Sequence, residues 1–340
     1  MALASPYSLA QQDIYLDISI GIFEVPAESA SQTADASPQA TNSSDITTEI
    51  RDAEARYLAL YLRYRLEASG SFGAVRVLPI ADTGADISIS GKVLESDGQK
   101  LTLAVHAIDS TGRVWLEKQY SGEAVDSESL NENVLSDEVF AYLFSAIVTD
   151  LQNQLSTLAP AESTRIRNVA LLQYGEGLLP QRYQGYLEKN ETGEVTIVRL
   201  PADDDPLFSR IRDIREHEYL FIDVVDQQYQ RFFRDIKPVY DMWRQFRREQ
   251  AGSAENFAQR ETTDNNLFRP GTYYALQQSY NNYRWAKLQA LYLDELSEGF
   301  ANETEDTSIE LDDSLFRLTG TLEQQYREWR TILAQMAALD

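Results

Sequence analysis

The side chains in this chain that could do chemistry are nearly all carboxylates. Among 340 residues, 54 are Asp or Glu, against 30 Lys or Arg, two His and no Cys. That inventory supplies no thiol nucleophile, no disulfide and no zinc finger. Two carboxylates at the right separation could run glycoside hydrolysis, but sequence does not measure separation, and so many acids leave the pair undefined. Asp203-Asp204-Asp205-Pro206 has the charge of a cation site. It lacks the alternating ligands and turn glycine of a calcium loop, and a carboxylate before Pro reads as a helix N-cap. His217 has no second His at metalloprotease spacing, and His106 lies on a strand whose alternation leaves its face open; both read as surface or packing residues. Gly175-Glu176-Gly177 lacks the remaining signature of a phosphate loop, and no Ser sits in a Gly-x-Ser-x-Gly elbow. The expectation is a non-enzymatic protein with no catalytic residue, metal or cofactor, a carboxylate-based hydrolase being the weaker alternative.

Aromatic and basic residues concentrate in the C-terminal half. Tyr229, Phe232, Phe233, Tyr240 and Trp243 crowd one stretch, and Tyr273, Tyr274, Tyr280, Tyr283, Trp285 and Tyr292 another. Arg231, Arg234, Arg244, Arg247, Arg248 and Arg284 lie among them, against the acidic background. A helix–helix core accounts for most such side chains. The sharper reading is a partner surface, since Tyr, Trp and Arg dominate interface hot spots. The candidate partner-binding residues are Arg231, Arg234, Tyr240, Trp243, Arg244, Arg247, Tyr283 and Trp285. Proteins are the expected partners, with a glycan such as peptidoglycan as the alternative.

Composition bounds the rest. The chain is 43% hydrophobic and carries 19 Tyr, 13 Phe and 4 Trp, which excludes disorder throughout. Its length suits two domains at ~150 residues each. A net charge of −24 argues against nucleic acid, which needs clustered cations. No apolar run approaches the ~18–20 residues of a membrane helix. Met1-Ala2-Leu3-Ala4-Ser5 is too short and lacks the basic flank of a signal peptide, so the expectation is a cytoplasmic start or one just after a removed export signal.

Periodicity gives the elements that must position these residues. Residues 1–12 are expected to be disordered and 13–25 to form a strand; the polar stretch 27–47 reads as a mobile loop. A helix then runs from Thr47 or Thr48 to Gly70, and Val75–Pro79 forms a strand. Asp86–Glu95, Lys100–Asp109 and Arg113–Tyr120 form a meander joined by Asp97-Gly98 and Ser110-Thr111-Gly112. Val134–Leu158 is an amphipathic helix. Together 13–158 read as an α+β domain, and 160–340 as a mainly helical one with short hairpins near Asn190–Gly193 and Asp312–Ser314. Ile222, Val225, Tyr229, Phe232, Ile236, Val239, Trp243 and Phe246 keep three-four spacing, a heptad seam through Pro238, where a kink is expected. Helices at Tyr273–Phe300 and Leu322–Met336 are expected to cover that seam within the chain; a second subunit is the other way to cover it.

The order of elements, with Ile18–Val25, Leu66-Glu67-Ala68-Ser69-Gly70-Ser71-Phe72, Ala85–Val93 and Ile108-Asp109-Ser110-Thr111-Gly112-Arg113-Val114-Trp115, resembles the domain shared by the TolB N-terminal module, the curli-secretion lipoprotein CsgG and related periplasmic lipoproteins. The resemblance covers about residues 13–158. It implies a Gram-negative envelope, with a precursor lipid-anchored to the outer membrane that serves a secretion, surface-organelle or wall-synthesis machine. It carries no catalytic residues. The long loop after the first strand and the helical region from about 160 depart from it.

Overall fold

The computed structural model describes residues 15–25, 40–79, 84–96, 100–123, 140–201, 205–261, 280, 283, 306–311 and 314–338. Among these residues the fold is mixed α/β, with a five-stranded mixed sheet and six helices. Chain order is β1 (Ile18–Gly21), α1 (Ala40–Ser69), β2 (Val75–Leu78), β3 (Ile87–Ser96), β4 (Lys100–Asp109), β5 (Val114–Glu123), α2 (Ala141–Ser156), α3 (Pro160–Leu178) and α4 (Pro180–Tyr183). The C-terminal elements are β6 (Leu187–Lys189), β7 (Val195–Ile197), α5 (Pro206–Glu261), β8 (Thr307–Leu311), β9 (Ser314–Leu318) and α6 (Leu322–Ala338).

The main sheet has the order β2-β1-β3-β4-β5; β1 pairs in parallel with β2 and β3, and β3–β4–β5 is the antiparallel meander. Strict alternation forms these strands. Ile18 and Ile20, Ile87, Ile89 and Val93, and Leu101, Leu103, Val105 and Ala107 are buried, and polar or small residues occupy most of the positions between them. α1 and α2 cover that apolar face: Tyr61 of α1 meets Phe144 of α2 edge-on, and the Tyr120 hydroxyl of β5 donates to Asp150 of α2 at 2.7 Å. One hydrophobic cluster continues from Leu16 and Ile20 through Phe144 to Ile222, Trp329 and Leu333.

Several boundaries differ from the periodicity reading. α1 begins at Ala40, inside the stretch read as a loop, because a nucleated helix propagates through residues of middling propensity at one hydrogen bond each; residues 27–39 of that loop, and 1–12, lie outside the described residues. It ends at Gly70, whose φ of +61° suits a left-handed cap. The first strand keeps only Ile18–Gly21 and a bridge from Glu24 to Lys92. α2 is described from Ala141, the N-terminal part of the expected helix lying outside. The meander, both small hairpins and α6 fall where expected, with Leu322, Tyr326, Trp329 and Leu333 buried on one face of α6.

α5 runs unbroken through Pro238 for 56 residues, about 84 Å at 1.5 Å per residue. Different helices meet it along its length, α3 among them through Arg215 over the Tyr174 ring. α6 packs near its start, where Phe221 stacks on Tyr326 with ring centroids 5.9 Å apart. Further along, α1 covers it: Tyr57 lies 5.0 Å from Phe233 and 4.5 Å from Tyr240, centroid to centroid. α1 is not among the expected neighbours of α5; of the two expected covers, α6 packs near the start of α5, and 273–300 lies outside the described residues apart from Tyr280 and Tyr283. The face toward α1 runs through Asp226, Phe233 and Tyr240, one position off the heptad seam.

Leu151 of α2 is fully buried. Leu151→Asp places an unpaired charge there, at a cost on the order of several kcal/mol, comparable with the stability of a domain. The expected result is loss of the cooperative thermal transition; an unchanged midpoint would show that α2 does not pack on the sheet.

Candidate functional site

The residues singled out on α5 separate in space. Arg231 and Arg234 are exposed, as is Tyr283 at 65%. Tyr240 is buried, which removes it from any partner surface: its hydroxyl donates to Glu54 of α1 at 2.5 Å. The side chains of Trp243, Arg244, Arg247 and Trp285 lie outside the described residues. Asp205 stands directly before Pro206, the first residue of α5, and its backbone carbonyl accepts from the N–H groups of Phe208 and Ser209 at 3.0 and 3.1 Å; Asp203 and Asp204 lie outside the described residues. Gly175 lies within α3, and a side chain there would meet the Tyr183 ring at 3.0 Å, so this glycine serves packing. His217 is half-buried with its Nδ1 unpartnered.

The buried acids each tie elements together. Glu54 accepts from Ser96 at the end of β3 as well as from Tyr240. Asp226 of α5 pairs with Arg63 of α1, whose guanidinium also reaches Glu67 at 2.9 Å. Glu218 of α5 accepts from the Tyr326 hydroxyl of α6 at 2.8 Å, with Arg330 at 3.6 Å. Asp86 accepts from the Asp17 N–H at 3.0 Å and faces Arg167 of α3 at 3.5 Å. Burial raises the Asp86 pKa against the opposing Asp17 N–H, Arg215 and Arg167. Asp109 closes the β4–β5 turn: Oδ1 accepts from the N–H and hydroxyl of Thr111 and the N–H of Arg113, and Oδ2 from the Trp115 indole at 2.9 Å.

That turn anchors α3 and the β6–β7 hairpin. The Ser110 hydroxyl donates to the Ile166 carbonyl of α3, Gln173 Nε2 donates to the Ser110 carbonyl at 3.0 Å, and the Val195 N–H donates to the Thr111 carbonyl at 2.7 Å. A side chain on Gly112, at φ +86°, would lie 2.4 Å from the Gly193 carbonyl oxygen, so only glycine lets the β6–β7 hairpin sit against the turn.

Opposite the face covered by α1 and α2, the sheet is open over β3–β5. Register sets its polar side chains in rows. Glu95, Thr102 and Ser121 form one, with Thr102 and Ser121 hydroxyls 2.9 Å apart. Lys92, Ala104 and Gln119 form the next, and Ser90, His106 and Glu117 a third. Ser90, Lys92, Glu117, Gln119 and Ser121 are exposed, and His106 is half-buried. Directly opposed residues on neighbouring strands have Cβ atoms about 5 Å apart, so His106 stands between a hydroxyl and a carboxylate. Sequence reasoning left the face of His106 open, because alternation within one strand does not reveal what its neighbours place beside it. Ser88 and Ile108 continue this face into a cleft of about 530 Å³, walled by α3 and the β6–β7 hairpin.

Among the described residues, no group of His, Asp and Glu is placed to hold a metal ion, and no helix is long and apolar enough to cross a membrane. Comparison with known proteins finds no matching family model, curated protein or solved structure.

The Arg63–Asp226 pair makes the α1–α5 contact pH-dependent. Burial outweighs Arg63 and pushes the Asp226 pKa up to about 6 from an ordinary 3.8. A carboxyl raised in the folded state binds more protons there than in the unfolded chain, so its contribution to stability is complete below about 4 and is lost as pH rises through 6. Measured against Asp226→Asn, the thermal midpoint of the native chain should fall over that window. A difference constant from pH 4 to 7 would show that Asp226 titrates as in an unfolded chain.

Proposed function

We propose that the protein is a non-catalytic accessory or scaffold protein of a bacterial envelope machine, engaging a partner protein through the exposed face of β3–β5. The observation that carries this reading is the division of the polar groups. Glu54, Asp86, Asp109, Glu218 and Asp226 join structural elements from within the core. Among the described residues, a set of exposed polar side chains lies in rows on one broad solvent-facing surface of β3–β5. Developing charge in a reaction is stabilised best where water is shut out, whereas an open polar surface suits docking. Lys92 and Glu117, on neighbouring rows, supply charges of both signs for choosing a partner. The place in the envelope, with an outer-membrane lipid anchor in the precursor, rests on the resemblance of residues 13–158 to the TolB N-terminal and CsgG-like domain. The order of strand, helix, strand and meander is compatible with it. A glycan-binding reading draws its own support from Tyr280 and Tyr283, 63% and 65% exposed and three residues apart.

The test places a photo-cross-linking amino acid at Gln119 of the full chain and irradiates it in a Gram-negative envelope extract, alongside sedimentation with purified wall sacculi. One discrete protein adduct that disappears in Lys92→Glu/Glu117→Lys supports scaffolding through this face. Saturable sedimentation with sacculi that Tyr280→Ala/Tyr283→Ala abolishes moves the function to glycan binding. Release of soluble wall fragments overturns the non-catalytic reading.

A further inference from the structure

The cleft at the end of the open sheet face contains two opposite charges that the fold does not use. Its floor is Ser88 and Ile108, paired across β3 and β4, and its walls come from α3, the β4–β5 turn and the β6–β7 hairpin. Glu176 of α3 and Lys189 of β6 line it, both exposed. Among the described residues, neither side chain makes a hydrogen bond or ion pair, with the other or with anything else. The contrast with the rest of the α3 surface is informative: Arg165 and Arg167 on the same helix are engaged, with Glu194 and Asp86. Gln173 adds a third group. Its amide nitrogen is fixed on the Ser110 carbonyl at 3.0 Å, which holds the side chain in place at the cleft and leaves its amide oxygen as an acceptor.

The walls are held independently of any ligand. The hairpin that carries Lys189 is tied to the turn by the Val195 N–H on the Thr111 carbonyl and by the glycine contact at Gly112 and Gly193. The helix that carries Glu176 is tied to the same turn by Ser110 on the Ile166 carbonyl. Both side chains are therefore carried by elements braced against one point, so a ligand bridging them finds walls already in place.

We propose that this cleft binds a small zwitterion of the amino-acid or dipeptide class. Lys189 takes the carboxylate and Glu176 the ammonium group, and the Gln173 amide oxygen accepts from a peptide N–H. A volume of about 530 Å³ fits the range of small-ligand sites and exceeds what a bare ion would fill. A simple anion drawn by Lys189 would be repelled by Glu176 and by a chain of net charge −24; a simple cation would meet Lys189. Only a ligand carrying both charges matches both walls. Ala85, Ile108 and Val195 give small side chains apolar contact. The site goes beyond the scaffold reading and does not depend on it.

The test is calorimetric titration of the full chain with L-alanyl-L-alanine. The comparison probes are its N-acetyl derivative, its amide and the doubly blocked peptide. Saturable binding of the free dipeptide in the millimolar range is expected, weakened about tenfold by blocking either terminus. Glu176→Gln should lose about the same factor and become indifferent to N-acetylation, and Lys189→Gln should become indifferent to amidation. Both positions are exposed, so both variants should keep the native thermal midpoint. Absence of saturable binding, equal binding of the doubly blocked peptide, or binding unchanged in both variants would overturn the proposal.

Discussion

A carboxylate buried in protein must be met by donors, and in this chain that requirement links one layer to the next. Glu54 draws donors from β3 and α5, Asp86 from the residue before β1 and from α3, Glu218 from α6, and Asp226 from α1. Asp109 draws all of its donors from the β4–β5 turn and the start of β5, and that turn holds α3 and the β6–β7 hairpin. Each pairing is directional, and leaving any one unmet would strand a charge at low dielectric, so the pairings specify which faces of these elements can meet. The apolar cluster supplies adhesion along the same interfaces without that selectivity.

The same economy separates the two faces of the sheet. Leu103, Val105 and Ala107 on β4 go under the helices, and the residues alternating with them face outward with Ser, Lys, Gln and Glu from β3 and β5. Antiparallel strands tolerate water on one side, which is why the open region coincides with the meander. On the parallel side, Arg76 of β2 lies over the Tyr219 ring at 4.1 Å and near Asp223 at 3.6 Å, and α5 closes that part of the sheet. The long helix thus covers the buried strands and leaves the meander to solvent. The surface argued to dock a partner and the cleft argued to take a zwitterion both lie on that uncovered part.

The sequence alone determined the meander, both small hairpins and α6, because each is a local matter. Alternation or a 3.6-residue stripe identifies the element, and turn residues such as Asn190–Gly193 end it. α3 carries no such signal: its buried residues include Ser163, Tyr174 and Gly175 as well as Ile166 and Leu172, so no clean apolar stripe marks it. The aromatic richness of α5 was equally plain, and so was the absence of Cys.

Tertiary structure alone decided what covers what. The heptad pattern on α5 asked for a facing helix but could not name α1, more than 150 residues earlier, because periodicity records that a face is apolar and not which partner buries it. It could not distinguish Tyr240, turned inward onto Glu54, from a partner-facing tyrosine, since a phenol is at home in either setting. The rows on the open face and the meeting of Glu176 and Lys189 at one cleft lay beyond it for the same reason. Register and docking bring together residues that the chain keeps apart, and no local spacing encodes that meeting.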